Sequence, residues 1–342
     1  MLKYSFYNDY SEGAHPKILE MLMNTNLQQQ YGYGLDEYSL DSERLIQNMI
    51  GRNVDVHFIS GGTHANLTVL ASMMKPYEAV ISANTGHINV HEAGAIEATG
   101  HKIIDIESKD GKLSPELIQL VLDQHDDEHA VMPKVVFISN STELGTIYNE
   151  AELKSISEYC RKKGLYLYLD GARLGSGLMS KDSDLDLTKI ADYVDAFYIG
   201  GTKNGALLGE AIVLINNEIK QNFRYHLKQR GALLAKGRIL GIQFKALFEN
   251  NLYFDLAKHA NNMAEKLSLE IKNLGYNFLT ESTTNQIFPI FPNSLIEKLS
   301  EMYGFYTWSK IDDVSSSIRL VTSWATQESA VEEFINDLKV IQ

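Results

Sequence analysis

The sequence is short of cysteine: Cys160 stands alone among 342 residues. It cannot close an internal disulfide, which excludes a disulfide-built secreted scaffold and fits a reducing compartment such as the cytoplasm. Basic residues are in the minority, 31 against 44 acidic, for a formal charge of −13. That balance excludes a broad cationic surface for non-specific nucleic-acid binding. No uninterrupted apolar run approaches a membrane span, and Met1-Leu2-Lys3-Tyr4-Ser5 leads into no apolar signal segment. Repeats and low-complexity tracts are also missing. What is there, 44% hydrophobic and 22% charged, is the composition of an ordinary globular chain long enough for one large domain and a smaller one.

From about residue 55 to 216, short apolar runs alternate with amphipathic stretches. The runs are Val54–Ile59, Ala79–Ser82, Lys102–Ile106, Lys134–Ser139, Leu165–Leu169, Ala196–Ile199 and Ala211–Ile215. Between them, Thr63–Met74, His87–Thr99, Pro115–Asp123 and Glu150–Lys163 carry apolar residues near a 3.6 period and are predicted helices. Such alternation predicts an α/β fold with a mainly parallel seven-stranded sheet, because parallel neighbours need crossover connections. Tyr166 and Tyr168 alternate with leucines, so both faces of that strand are apolar and it is a central one. The pattern changes after residue 216. Ile219 to Phe248 holds seven basic residues and no acidic one, read either as a solvated helix face or as an anion-facing segment. A predicted helix at Asp255–Leu274 follows, then strand Gln286–Phe291, helix Leu295–Tyr303, strand Ser317–Val321 and helix Glu328–Val340. The expected domains are 1–250 and a small α+β unit, 251–342, packed without a linker.

Active groups in parallel α/β sheets collect where strands end. The first run ends in Ser60-Gly61-Gly62-Thr63 and opens a helix, whose free amides suit a phosphate or simply close a corner. No Lys-Ser/Thr pair follows, so it is not a Walker loop. Leu165–Leu169 ends in Asp170-Gly171-Ala172-Arg173. A carboxylate at the tip of so apolar a strand needs a cation: either Arg173 or a bound one, such as a protonated ring nitrogen. Ala196–Ile199 ends in Gly200-Gly201-Thr202-Lys203. A lysine in a partly desolvated strand tip loses its proton readily and forms Schiff bases with carbonyls. Together, a Schiff-base lysine and an aspartate for a pyridinium nitrogen are the protein half of a pyridoxal phosphate site. His87 and His91 sit four apart, but Ile88 stands where a zincin has glutamate, so no metal is assigned. His87 is read either as stacking on a cofactor ring or as a hydrogen-bonded loop histidine. Arg319, inside the apolar Ser317–Val321 strand, wants a carboxylate, from the protein or from a substrate. Cys160 shares an apolar helix face with Leu153 and Ile156 and reads as core. There is no Gly-x-Ser-x-Gly elbow and no plausible Cys/His pair.

These pieces resemble the threonine aldolase and β-eliminating lyase family of fold-type-I, aspartate-aminotransferase-like pyridoxal-phosphate enzymes. The resemblance runs along nearly the whole chain: Asn8-Asp9 with Pro16, Tyr33-Gly34, Gly62-Thr63-His64-Ala65-Asn66, His87 with Glu92-Ala93-Gly94, Asn140, Asp170-Gly171-Ala172-Arg173, Thr202-Lys203 and Arg319-Leu320-Val321-Thr322. It implies that Lys203 carries pyridoxal 5'-phosphate, Asp170 pairs with its ring nitrogen and His87 stacks on the ring. Gly62, Thr63 and Thr202 would lie around the phosphate, and His64 and Arg173 would also contact the cofactor. Arg173 and Arg319 would bind the substrate carboxylate, with Asn8 and Tyr33 nearby. It further implies a homo-oligomer, dimer or tetramer, with shared active sites, to which Lys228 and Lys236 of the basic segment would contribute across subunits. Three stretches depart from the family pattern: Asn8-Asp9-Tyr10 replaces Ser-Asp-Thr, His64 replaces glutamine, and Ser141-Thr142-Glu143 follows Asn140 where Thr-His-Asn is common. Thr142 is thus expected where the family places a histidine near the substrate hydroxyl.

The implied reaction is retro-aldol cleavage of a β-hydroxy-α-amino acid to glycine and an aldehyde. The bond set perpendicular to the cofactor ring is the one that breaks. His87 through a water is the first candidate for the base, with Glu143 or His64 next. If the Cα–H bond is perpendicular instead, the outcome is β-elimination. A non-catalytic protein on the same fold is a third reading, against which the joint presence of Lys203, Asp170, Arg173 and Arg319 argues.

Overall fold

Alternate residues of an extended strand point to opposite faces, and that period organises two cores. In the computed structural model, which describes residues 2–342, Leu167 and Leu169 enter one hydrophobic cluster while Tyr168 enters the other. Phe197 and Ile199 divide from Ala196 and Tyr198 in the same way. The sheet between the clusters has seven strands in the order Asp55–Ile59, Glu210–Leu214, Ala196–Gly200, Tyr166–Asp170, Met132–Ser139, Glu78–Ala83, Lys102–Ile106. Only Glu210–Leu214 runs antiparallel to its neighbours. Helices cover both faces, so the expected mainly parallel α/β architecture holds, with Tyr166–Asp170 at its centre.

Local chemistry sets the helix ends. Asn149 and Glu152 form a reciprocal capping box at the start of Glu150–Lys163, and Gly164 ends it in the left-handed region. Ser114 caps Pro115–Asp123, with proline in the first turn where a missing N–H does no harm.

Several expectations need correction. His87–Thr99 is not one helix but a turn, His87–Val90, and a 3-10 turn, Glu97–Thr99. Ala93 and Gly94 lie at φ +50° and +73° between them, which stops a right-handed helix. Gln286–Phe291 divides into Gln286–Ile287 and Ile290–Pro292, because Pro289 has no N–H to continue a ladder. The helix expected at Leu295–Tyr303 is Asn293–Ser300, and Tyr303–Gly304 is a strand paired with Tyr4–Ser5. Two N-terminal helices, Pro16–Thr25 and Glu37–Ile50, were not anticipated.

A third core contains Phe6, Leu267, Phe291, Leu320 and Phe334. Over it lies a small sheet in which Ser315–Val321 pairs with Ile290–Pro292, Gln286–Ile287 and Tyr306–Lys310. The helix Leu252–Asn273 joins this unit to the large one: Tyr253 Oη accepts from Gly175 N at 3.0 Å, and Asn261 is bonded twice to Ser176.

The basic segment is mostly a clamp on the N-terminal region. Arg238 donates to Gln28 O, Arg224 to Tyr33 O, and Lys245 to Asp41, while the Arg238–Phe248 helix buries Leu240, Phe244 and Leu247. No described helix is long and apolar enough to cross a membrane.

Candidate active site

Two strand tips approach so closely that only glycine fits between them. Gly200 N donates to Gly171 O at 2.9 Å, and a Cβ on Gly171 would stand 1.8 Å from the Tyr198 carbonyl oxygen. This packing sets Asp170, the last residue of its strand, beside the turn that carries Lys203.

Asp170 is buried and takes its hydrogen bonds from neutral donors: Tyr198 Oη at 2.6 Å, Asn66 Nδ2 at 3.0 Å and Ala172 N at 2.9 Å. Arg173, the candidate structural partner, turns away to a different carboxylate. Its Nε and NH2 groups donate to Asp9 Oδ2 and Oδ1 at 2.7 and 3.1 Å, and Asn285 adds a third bond at 2.9 Å. Burial opposes ionisation of Asp9, but Arg173 and Lys203 outweigh it and hold the carboxyl below its ordinary range.

Asn66 links the acids. Tyr168 Oη donates to its Oδ1 at 3.0 Å, which turns Nδ2 toward Asp170 and toward Glu92 Oε1, 2.8 Å away. The same Glu92 oxygen lies 2.9 Å from His87 Nδ1, placing the ring proton there and leaving Nε2 free. Glu92 is fully buried, so His87 stands on a fixed support.

A cavity of about 560 Å³ opens above this network and is lined by Lys203, His87, Arg173, Arg319 and Glu143, with Tyr306 and Trp308 on the small-unit side. Burial and the Arg173 guanidinium lower the Lys203 pKa below the ordinary lysine range. Arg319 lies 5.3 and 5.0 Å from the centroids of the Tyr306 and Trp308 rings, and among the described residues its buried Nε has no partner. Beneath Lys203, Glu210 accepts from Gly201 N and Thr202 Oγ1, both at 2.8 Å. Burial pushes this carboxyl up to about 7 against those two bonds.

The remaining expected residues fall in several places. Gly62 starts the helix Gly62–Met73, followed by Thr63, and its Cβ position is 3.1 Å from Tyr198 Oη, so this helix start borders the Asp170 network. Thr202 is bound to Glu210 as described. His64 faces away, bonded to Ser60 Oγ and Arg230 O at 3.1 Å each. Asn8 caps its own turn through Tyr10 N and Ser11 Oγ, and its neighbours Asp9 and Tyr10 reach the site instead. Tyr33 lines a separate cavity of about 330 Å³, with Lys228 Nζ 4.7 Å from its ring centroid; neither it nor Lys236 lines the Lys203 cavity of its own chain. Thr142 is fully buried and bonded to Thr146 Oγ1 at 2.7 Å, so the side chain that enters the cavity after Asn140 is Glu143, not Thr142.

Sequence reasoning gave no role to Asp9, Tyr198, Glu210 or the Tyr306/Trp308 pair. Only Tyr198 left a signal: like Tyr168 it shares a strand face with its own strand-tip residue, two positions on.

The sequence pattern of the beta-eliminating lyase family matches residues 10–293. Low specificity L-threonine aldolases of a Pseudomonas species and of Pseudomonas aeruginosa are 31% and 30% identical over 341 residues, 98% of this chain and 97% of theirs. A solved threonine aldolase of Leishmania major is 47% identical, covers 98% of this chain and 99% of its own, and superimposes with a TM-score of 0.97. An aspartate aminotransferase of Thermus thermophilus, 13% identical with a TM-score of 0.74, shares the fold across 100% of this chain and 92% of its own. With the match spanning both the Asp170 and the Lys203 strand tips, the chain belongs to the beta-eliminating lyase family.

Proposed function

We propose that this enzyme is a pyridoxal-5'-phosphate-dependent aldolase that cleaves β-hydroxy-α-amino acids of the L-threonine and L-allo-threonine type to glycine and an aldehyde. The observation that carries the reading is Asp170: a buried carboxylate with only neutral donors, close to a lysine whose pKa is lowered. That donor set fits pyridoxal phosphate, since the aspartate would answer a protonated ring nitrogen and the lysine an aldehyde. The relatives named L-threonine aldolase support the choice of substrate.

Lys203 would hold the cofactor aldehyde, Asp170 the ring nitrogen, His87 a ring face, and the helix start at Gly62-Thr63 with Thr202 the phosphate. When bound, the cofactor supplies an acceptor for the electron pair left on the substrate α-carbon. The chain's own groups do the rest. Arg319, with an unspent Nε–H, binds the substrate carboxylate, and Arg173, already braced on Asp9, adds positive potential on the same side. Fixing the carboxylate fixes the rotation about the α-carbon, and so which bond is cleaved. Tyr306 and Trp308 present ring faces to that guanidinium and help hold it at the cavity wall.

Within the proposal, residues 251–342 form the small domain, with Phe6 from the N-terminal segment in its core. A closed homo-oligomer, dimer or tetramer, is supported by the apolar side chains Met23, Leu27 and Tyr31, which are 79%, 94% and 82% exposed on one chain. Tyr33, Lys228 and Lys236 adjoin that region and are the groups expected to reach a neighbouring subunit's site. A reducing, cytoplasmic setting agrees with the buried free Cys160.

The test is glycine and acetaldehyde release from L-threonine and L-allo-threonine by cofactor-loaded protein. Equal amounts of both products are expected, with Lys203→Ala abolishing them. Ammonia and a keto acid in their place would make the enzyme a β-eliminating lyase instead.

A further inference from the structure

Retro-aldol cleavage requires a group to take the β-hydroxyl proton. Among the described residues, Glu143 is the only acid lining the Lys203 cavity. The carboxyl is anchored at one oxygen and free at the other. Oε1 accepts from Ser139 Oγ at 2.9 Å and from His87 N at 3.0 Å, while Oε2 accepts no hydrogen bond from the described residues. Anchoring of this kind fixes the direction of the free oxygen without spending it. His64 uses both ring nitrogens outside the cavity. His87 keeps Nε2 free, but its ring is the one on which the cofactor would lie, and His91, which also lines the cavity, has among the described residues no hydrogen bond to fix its ring. Burial and the nearby Asp170 also push the Glu143 carboxyl above its ordinary range, toward that of a useful base.

We propose that Glu143 is the catalytic base of the cleavage, a role that rests on the aldolase reading above. Its Oε2 receives the β-hydroxyl proton as the Cα–Cβ bond breaks and the Cβ–O bond becomes the aldehyde C=O. The electron pair of the broken bond stays on the α-carbon side and is quenched there by one proton, giving glycine. Protons and electrons therefore balance with no co-reactant.

The experiment compares two reactions of the holoenzyme. Cleavage of L-threonine needs the base; exchange of the glycine α-hydrogen for solvent deuterium needs Lys203 and the carboxylate clamp but no hydroxyl. In Glu143→Gln, cleavage falls on the order of 10²-fold or more. Glycine exchange and the glycine dissociation constant, read by equilibrium titration of the cofactor absorbance, stay within about threefold of wild type, far less than the loss of a general base would cause. Glu143→Asp keeps a carboxylate with shorter reach and recovers part of the cleavage rate, which guards against a misfolded glutamine variant. Cleavage by Glu143→Gln within about threefold of wild type overturns the proposal. So does equal loss of cleavage and exchange in both variants while glycine still binds. A wild-type enzyme that exchanges glycine but releases no aldehyde from either threonine diastereomer overturns the aldolase reading itself, and the proposal with it.

Discussion

Arg173 grips Asp9 through two hydrogen bonds, 2.7 and 3.1 Å long, across 164 positions of sequence. The sequence sets Arg173 three residues from Asp170, and the fold gives it to a carboxylate from the N-terminal segment. Asp170 is thereby left with neutral hydrogen-bond donors, and Arg173 keeps its charge at the cavity wall with its direction fixed.

Asp9→Ala leaves that guanidinium buried and uncompensated, and is expected to destabilise the cofactor-free protein by about 3–5 kcal/mol. The folded Asp9 carboxyl titrates below the unfolded value of about 4. Its contribution is therefore complete at neutral pH and disappears as pH falls through the folded value. Denaturant titrations at neutral and acid pH check both points: the variant's deficit should shrink in acid.

Tyr198→Phe removes a 2.6 Å donor from Asp170 while keeping the ring in the core. Hydrogen bonds to charged groups contribute about 1.5–3 kcal/mol. Without this one, the carboxylate is a poorer partner for a ring cation, and affinity for pyridoxal phosphate should fall roughly tenfold or more. Equilibrium dialysis of the cofactor measures it. An unchanged constant would separate Tyr198 from cofactor binding.

Glu210 gives the opposite pH signature to Asp9. Its folded pKa, about 7, lies above the unfolded value, so burial favours the protonated form. Stability from this group is present below pH about 4.5 and is lost as pH rises through about 7, of order 3 kcal/mol in all. Glu210→Gln should flatten that decline in the cofactor-free protein, followed by melting temperature against pH. Because Glu210 holds Gly201 and Thr202, the variant should also loosen Lys203 and weaken cofactor retention.

Gly171→Ala meets the Tyr198 carbonyl oxygen, which cannot move without dragging its strand. A destabilisation of about 3 kcal/mol is expected. Cofactor binding should suffer with it, since Asp170 and Lys203 flank the collision. Calorimetric melting alongside cofactor titration tests the pairing of the two losses.

Much of this architecture is legible in residue patterns. Apolar runs of strand length separated by helical periods give the sheet, and the strand-tip rule then points to Asp170 and Lys203 before any geometry is known. The rest depends on contacts that no local pattern carries. The Glu37–Ile50 helix escapes a hydrophobic-period reading because two of its buried positions are Ser39 and Ser42, packed against Gly241 in a close helix crossing. The identity of the cavity-facing residue after Asn140 turns on a single step along the chain. Thr142 Oγ1 is drawn into its own turn by Thr146, and that rotation presents Glu143. Asp9 belongs to a segment whose conformation is decided by the far end of the molecule.

That last feature bears on how the protein is made. Tyr4–Ser5 completes a sheet with Tyr303–Gly304, Tyr7 O accepts from Arg319 312 positions later, and Phe6 lies in a core built mainly from residues beyond 260. A chain emerging from the ribosome therefore carries its first segment unpaired through almost the whole of translation. The segment that brings Asp9 to Arg173 is thus held in place by strands made near the end of the chain. Completion of the cavity wall at Arg173 and Arg319 depends in turn on residues synthesised last, after all seven strands of the large sheet have been made.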